Sequence, residues 1–295
     1  MAIAHEFQYE KPATLAEAFA LLTRHGRRAK ILAGATDLAV QLKEGVVTPE
    51  CLVDVKGLSE LDPLEKRDGR LVIGANVTFS QLAESALVRG EIPMLAESAL
   101  TVASVGVRNR ATIAGNICSA VPSLDAGPVL LVYDAVVVVA GERGRREIPI
   151  TEWFLGPRKT ALLEDELVVA IELPLPQKRH RGVYVKLGRY RGEDLAQVGV
   201  GVLVTGDDEY KVAFNAVGPK PVRSANLEAL LRGKKLDDAL LAQARAAVPG
   251  EITPITDIRA SREYRVHMAQ VMLERALRAA VALLAGASVD VEHLI

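Results

Sequence analysis

Cysteine is scarce: Cys51 and Cys118 are the only two in 295 residues. That is too few for a cysteine-ligated iron–sulfur cluster or an all-cysteine zinc site held by this chain alone. Two thiols so far apart fit a reducing compartment, each as a small apolar side chain. The five histidines show no HxxxH-type spacing, so no metal site is expected. A formal net charge of -1 gives no reason to expect nucleic acid or an anionic membrane as partner. The most apolar run, VLLVYDAVVVVAG, is broken by Asp134 and is too short to span a bilayer. The opening stretch MAIAHEFQYEKPATLAEAF lacks a basic segment followed by an apolar one. No signal peptide is therefore expected, and the expected compartment is the cytoplasm. Neither GxGxxG nor GxxxxGK[ST] occurs, so the dinucleotide fingerprint and the P-loop are both missing.

What is present is a soluble composition, 49% hydrophobic and 25% charged, long enough for two or three domains. Residues 1–56 read as a small βαβαβ unit. EFQYE is a strand, Thr14 caps LAEAFALLTRHG, and Gly26 stops that helix. AKILAG is a second strand, TDLAVQLKEG a helix with Thr36 as cap, and CLVDV a third strand. Residues 57–176 form a second segment whose first strand and helix fall in GRLVIGANVTFSQLAES, the helix after Ser80. It ends at the strand LVVAIELPLP, and the Pro-rich, basic PLPQKRHRG is the candidate linker. Residues 177–295 change character. Consecutive antiparallel strands, with a turn at GDDE, are followed by the helical stretches NLEALLRGKKLDDALLAQARAAV and EYRVHMAQVMLERALRAAVALLAGA. The fold class is α+β.

Two glycine turns carry the candidate chemistry. ILAGATDL (31–38) leads from an apolar strand through Ala33-Gly34-Ala35 to a helix start at Thr36-Asp37. Unpaired N–H groups and the helix dipole there favour negative charge, although most such turns are simply capped helix starts. TIAGNICSAVPSLD (112–125) packs glycine, asparagine and small residues behind an apolar lead-in. Its Gly-Asn pair is equally an ordinary turn. Two such turns, roughly eighty residues apart, would suit a diphosphate held between two segments.

ILAGATDLAVQLKEG, VRNRATIAGNICSAVPSLDAGPVLLVYDA and KLGRYRGEDLAQVGVGV, in that order, resemble the FAD-binding medium subunit of the molybdenum hydroxylases, the carbon monoxide dehydrogenase and xanthine dehydrogenase type. The likeness runs through the ending DIRASREYRVHMAQVMLERAL. It implies a two-domain FAD-binding fold of the vanillyl-alcohol-oxidase/PCMH type plus a C-terminal α+β domain. It also implies that Leu32, Ala33, Gly34, Ala35, Thr36, Asp37 and Leu38, with Thr112, Ile113, Ala114, Gly115 and Asn116, clasp the FAD pyrophosphate through backbone N–H groups. Thr36, Thr112 and Asn116 would add side-chain hydrogen bonds. Asp125 would meet the cofactor's hydroxylated chain; as a bare sequence feature it is also a helix N-cap. Val102 and Val168 would be apolar contacts or plain core. Lys186 would lie near the flavin, or be a surface lysine in a strand. Leu195 would lie against the isoalloxazine face.

This sequence departs from the family's Ala-Gly-Gly-Thr-Asp and Thr-Ile-Gly-Gly-Asn by having Ala35 and Ala114 in place of glycine. A methyl fits where φ is negative and Cβ points away from phosphate. The resemblance further implies [2Fe–2S] and molybdopterin on separate small and large subunits, in a dimer of heterotrimers. Electrons would pass through FAD to NAD+, a quinone or oxygen. Arg189 and Arg191 would face acids of the partner or remain solvated. No acid–base dyad or nucleophile is evident. The alternatives are a free-standing flavin reductase of the UDP-N-acetylenolpyruvoylglucosamine reductase type, or an assembly subunit without flavin.

Overall fold

The computed structural model describes residues 3–190, 193–291 and 294. Arg191 lies outside the described residues. Near the N-terminus, short apolar runs give three parallel strands, with Cys51–Asp54 between Gln8–Glu10 and Ala29–Leu32. Parallel neighbours require crossovers, and the first is the helix Leu15–His25. Thr14 Oγ1 accepts from the Glu17 N–H at 3.2 Å, and Gly26, at φ 51°, ends the helix. The second crossover differs from expectation. Its helix is Leu38–Lys43, preceded by Asp37, and no side chain caps it. Thr36 therefore sits in the turn itself.

The next sheet has five antiparallel strands in the order Leu64–Arg67, Arg70–Gly74, Leu167–Pro174, Val136–Gly141 and Gly144–Pro149. Six short helices fill the excursion between Gly74 and Val136. The first, Phe79–Glu84, starts just before Ser80 because Thr78 and Gln81 form a reciprocal capping box. The chain leaves this sheet at Pro174 and enters a four-stranded antiparallel meander at His180. The meander runs His180–Leu187, Val198–Thr205, Tyr210–Asn215 and Val222–Arg223. NLEALLRGKKLDDALLAQARAAV forms two helices, Ala225–Leu231 and Asp238–Glu251. Gly233 adopts φ 69° between them, and Asp237 caps the second. The long helix Arg262–Leu284 packs across the meander.

Two apolar cores result, one under the first two sheets and one between the meander and its helices. The wholly buried helix Ala126–Val132 is the joint between them. Polar bonds close the seam: Asn215 Nδ2 donates to Leu124 O, and the Ala216 N–H to Pro122 O, both at 2.8 Å. Asp134 accepts from both Lys211 and Arg223.

Arg265 is 2% exposed. Its guanidinium donates to Gln197 O at 2.6 Å, Ala216 O at 3.0 Å and Asp257 Oδ1 at 2.7 Å. Burial alone would raise the Asp257 carboxyl. The Arg259 N–H and the guanidinium groups of Arg259 and Arg265 instead hold it well below the ordinary carboxylate range. Removing one partner of such a pair leaves the other unpaired. Arg265→Met is expected to destabilise the protein by about 3 kcal/mol in urea unfolding. A depressed carboxyl stabilises the fold above its unfolded pKa and loses that contribution as pH falls through the folded value. Stability should therefore drop on acidification below about pH 4, and Asp257→Asn should flatten that limb while lowering stability at neutral pH.

Candidate functional site

The first turn follows directly from the end of the strand Ala29–Leu32. Ala35 adopts φ 60°, a left-handed conformation that costs an L-residue about 1–2 kcal/mol. Among the described residues, none supplies an acceptor to the N–H groups of Gly34, Ala35, Thr36, Asp37 or Leu38. A left-handed residue in such a turn brings successive N–H groups toward one side, as in an anion nest. The condition of negative φ for a tolerable methyl thus fails at Ala35, and the strain is what shapes the nest.

The second turn opens the helix Ile113–Ser119. Thr112 Oγ1 accepts from the Gly115 N–H at 3.0 Å, and Thr112 O from the Asn116 N–H at 3.0 Å. The Ile113 N–H donates to Val77 O at 3.3 Å. Three of the N–H groups expected to face a phosphate are therefore spent inside the chain. The Ala114 N–H keeps neither a cap nor an intrahelical acceptor. Ala114 itself is helical, with its methyl buried, so here the methyl is tolerated.

The two turns touch. A Cβ on Gly34 would lie 1.9 Å from Arg110 O and 2.7 Å from its carbonyl carbon. The Ser119 hydroxyl donates to Asp37 Oδ2. Thr78 bridges Thr112, and the Phe79 N–H donates to Ala111 O at 3.0 Å, which fixes the second turn to the central sheet's helices. A cleft of about 460 Å³ runs along Gly34 and Thr112, lined also by Lys56, Asn76, Asn109 and Arg110. Lys56 and Asn76 reach it from loops distant in sequence, whereas Asn109 and Arg110 immediately precede the second turn.

Beyond the second turn, Asp125 does not cap the helix that follows it. Its carboxylate accepts from Tyr184 Oη at 2.8 Å and from Lys186 Nζ at 2.8 Å. Lys186 also donates to Thr101 O at 2.7 Å. Lys186 is thus a buried member of an ion pair, not a surface lysine. Burial pushes the Asp125 carboxyl above its ordinary range, against the opposing pull of Lys186 and Tyr184. Val102 is 9% exposed beside Thr101, whereas Val168 is 2% exposed within the first core. Leu195 is 53% exposed, and its loop is fixed from behind. Asp194 accepts from the Arg189 N–H at 2.6 Å and the Leu195 N–H at 2.9 Å, and Gln197 Nε2 donates to Arg259 O at 2.7 Å. Arg189 pairs with Asp194 at 3.2 Å, and its side chain stays 47% exposed.

Known proteins share this fold. The family described as FAD binding domain in molybdopterin dehydrogenase matches residues 5–176, and the CO dehydrogenase flavoprotein C-terminal domain matches 183–280. This chain belongs to that flavoprotein family. It is 33% identical to the xanthine dehydrogenase FAD-binding subunit of Escherichia coli O157:H7, over 94% of this chain and 97% of the relative. It is 34% identical to the carbon monoxide dehydrogenase medium chain of Hydrogenophaga pseudoflava, over 93% and 96%. The solved carbon monoxide dehydrogenase of H. pseudoflava lacking its Mo-pyranopterin moiety superposes with a TM-score of 0.92, covering 96% of this chain and 99% of that one. Quinoline 2-oxidoreductase of Pseudomonas putida 86 superposes at 0.89 with 27% identity, over 97% and 99%.

The flavoprotein's own polar atoms fit FAD. The nest at 34–38 is anion-shaped, and Asn116 Oδ1 is buried with no partner. An orphaned acceptor beside a phosphate-type turn suits a hydroxyl of the cofactor, while the same amide's NH2 remains a donor. Gly34→Ala should force the turns apart by backbone overlap. The expected cost is about 3 kcal/mol of stability, with FAD titration showing lost affinity. Ala35→Gly should hold FAD at least as tightly as the parent. Its stability should change by no more than about 1 kcal/mol, because relief of strain is offset by the freedom of unfolded glycine. A loss of affinity in that variant would mean the methyl itself contributes.

Proposed function

We propose that this chain is the FAD-carrying subunit of a multi-subunit molybdenum hydroxylase. It passes electrons from [2Fe–2S] centres on a partner to NAD+, a quinone or oxygen. One observation carries the reading: two distant turns touch, Gly34 against Arg110 O, and the N–H groups of Gly34 to Leu38 and of Ala114 are left without acceptors there, as a diphosphate would require. Two turns are more phosphate recognition than a monophosphate such as FMN requires.

In this reading Leu32 to Leu38 and Thr112 to Asn116 hold the pyrophosphate. The anion rests mainly on the first turn, since the second spends most of its N–H groups internally. Asp125 and Lys186 face the flavin end, Val102 packs there, and Leu195 supplies an apolar surface for the ring. Val168 contributes as wall, its side chain being core. Bound FAD supplies the chemistry of accepting electrons singly and releasing them in pairs; the protein fixes position and field. Residues 1–56 and 57–176 act as the two FAD-binding subdomains and 177–295 as the C-terminal domain.

The partners in this reading are a small [2Fe–2S] subunit and a large molybdopterin subunit, assembled as a dimer of heterotrimers in the cytoplasm. Among the described residues no helix is long and apolar enough to cross a membrane. A free-standing reductase would need its own substrate site, and the relatives that cover nearly the whole chain are named as dehydrogenase subunits.

Three measurements test the reading. Heat-released cofactor from protein expressed with its partners should chromatograph as FAD, one per chain. Asn116→Leu should weaken FAD binding by about 1.5–3 kcal/mol with the fold intact. Affinity purification from the native cell should bring down a [2Fe–2S] chain and a molybdopterin chain. Recovery of a lone protein that reduces a substrate with NADH unaided would overturn the relay.

A further inference from the structure

The strand Val198–Thr205 begins VGVGV, and its two glycines lie on one face of the meander. Gly199 is in register with Lys186 on one side and Asn215 on the other, and Gly201 with Tyr184 and Ala213. A Cβ on Gly199 would lie 1.8 Å from Asn215 Oδ1 and 2.7 Å from Tyr184 Oη. A Cβ on Gly201 would lie 2.8 Å from Pro128 Cβ. Glycine at both positions clears a trough across the sheet. The buried helix Ala126–Val132 settles into it, and beside that helix a polar row crosses from strand to strand.

The row has a direction. Asn215, with no exposed surface, donates to Leu124 O at 2.8 Å and so holds the residue next to Asp125. Tyr184, 4% exposed, donates to Asp125 Oδ1. Asp125 Oδ2 accepts from Lys186, whose ammonium also reaches Thr101 O. An ammonium has three donors, and two are used here. The third is left for whatever lies beside the pair.

We propose that Tyr184 is a positioning residue for the flavin. Its hydroxyl fixes the Asp125 carboxylate, that carboxylate fixes and compensates the Lys186 charge, and the row as a unit sets the reduction potential of FAD. The inference rests on the FAD-subunit reading above. The physical chain is short. A carboxylate that loses a hydrogen-bond donor is less stabilised as an anion and takes up a proton more readily. Less negative charge beside Lys186 leaves a more positive field at the flavin, which favours the electron-rich reduced form.

The test is a double-mutant cycle on the intact complex, reading FAD content and the midpoint potential of bound FAD. Tyr184→Phe keeps the ring and removes only the hydroxyl. It is expected to retain FAD with no more than about a tenfold loss of affinity and to shift the potential upward. Asp125→Asn should shift it upward as well. The double variant should match Asp125→Asn alone, because Tyr184 acts through Asp125. Additive shifts, or an unchanged potential in Tyr184→Phe at full FAD content, would overturn the proposal. A fluorinated tyrosine placed at 184 is a stronger donor of nearly the same volume and should shift the potential downward. That measurement decides the matter if Tyr184→Phe does not fold. Absence of flavin from the unaltered complex is a separate outcome, and it would overturn the FAD-subunit reading instead.

Discussion

The site depends on one backbone-to-backbone approach, Gly34 against the carbonyl of Arg110. No side chain can stand between two main chains at that distance. The approach therefore requires glycine on one side and a rigid carbonyl on the other. Rigidity comes from the Thr78–Thr112 bridge and the Phe79–Ala111 bond, which fix the second turn to the helices of the central sheet. The first turn is fixed by its strand, by Asp37–Ser119 and by Gly34 itself. Its nest of N–H groups is thus aimed by contact with a different sheet, and neither turn is a complete anion site alone.

The outline of this architecture was legible in the sequence because its signals are local. A threonine three residues before a backbone donor caps a helix, a glycine stops one, and alternation of valines with small residues marks strands. Both glycine turns were legible for the same reason. What failed was the allocation of hydrogen bonds. Thr36 and Asp125 both sit where a cap belongs, yet neither caps. Asp125 is claimed instead by Tyr184 and Lys186, on a strand some sixty residues away. The N–H groups of Gly115 and Asn116 look free in the sequence but are consumed by Thr112. Such outcomes depend on register between distant strands, as does the role of VGVGV, which reads as an ordinary strand until Tyr184 and Asn215 lie on either side of it.

The two alanines that replace family glycines show how differently one substitution acts in two backbones. Ala114 is helical, and its methyl simply joins the core. Ala35 is left-handed, so there the methyl carries a conformational cost that the surrounding contacts must overcome. Locally strained residues persist only where the structure over-determines them. At Ala35 the over-determination is visible: Gly34 before it is locked to Arg110, and Asp37 after it is held by Ser119. The strain is therefore a consequence of the same contact that builds the nest.

The anchor behind Leu195 follows a related logic in charges. Arg265 is almost fully buried, yet a buried ion pair adds little net stability compared with apolar packing. Its three acceptors come from the Asp257 loop, from Gln197 just after Leu195, and from Ala216 at the seam with the first core. An apolar side chain could fill that volume, but it could not satisfy those carbonyls or fix three loops in one orientation. What the pair supplies is geometry. Leu195 stands out from the surface two residues before Gln197, whose carbonyl this arginine holds, so under the proposed function a planar ring laid against it would meet a surface already held in place. Preorganisation of that kind lowers the ordering cost of binding.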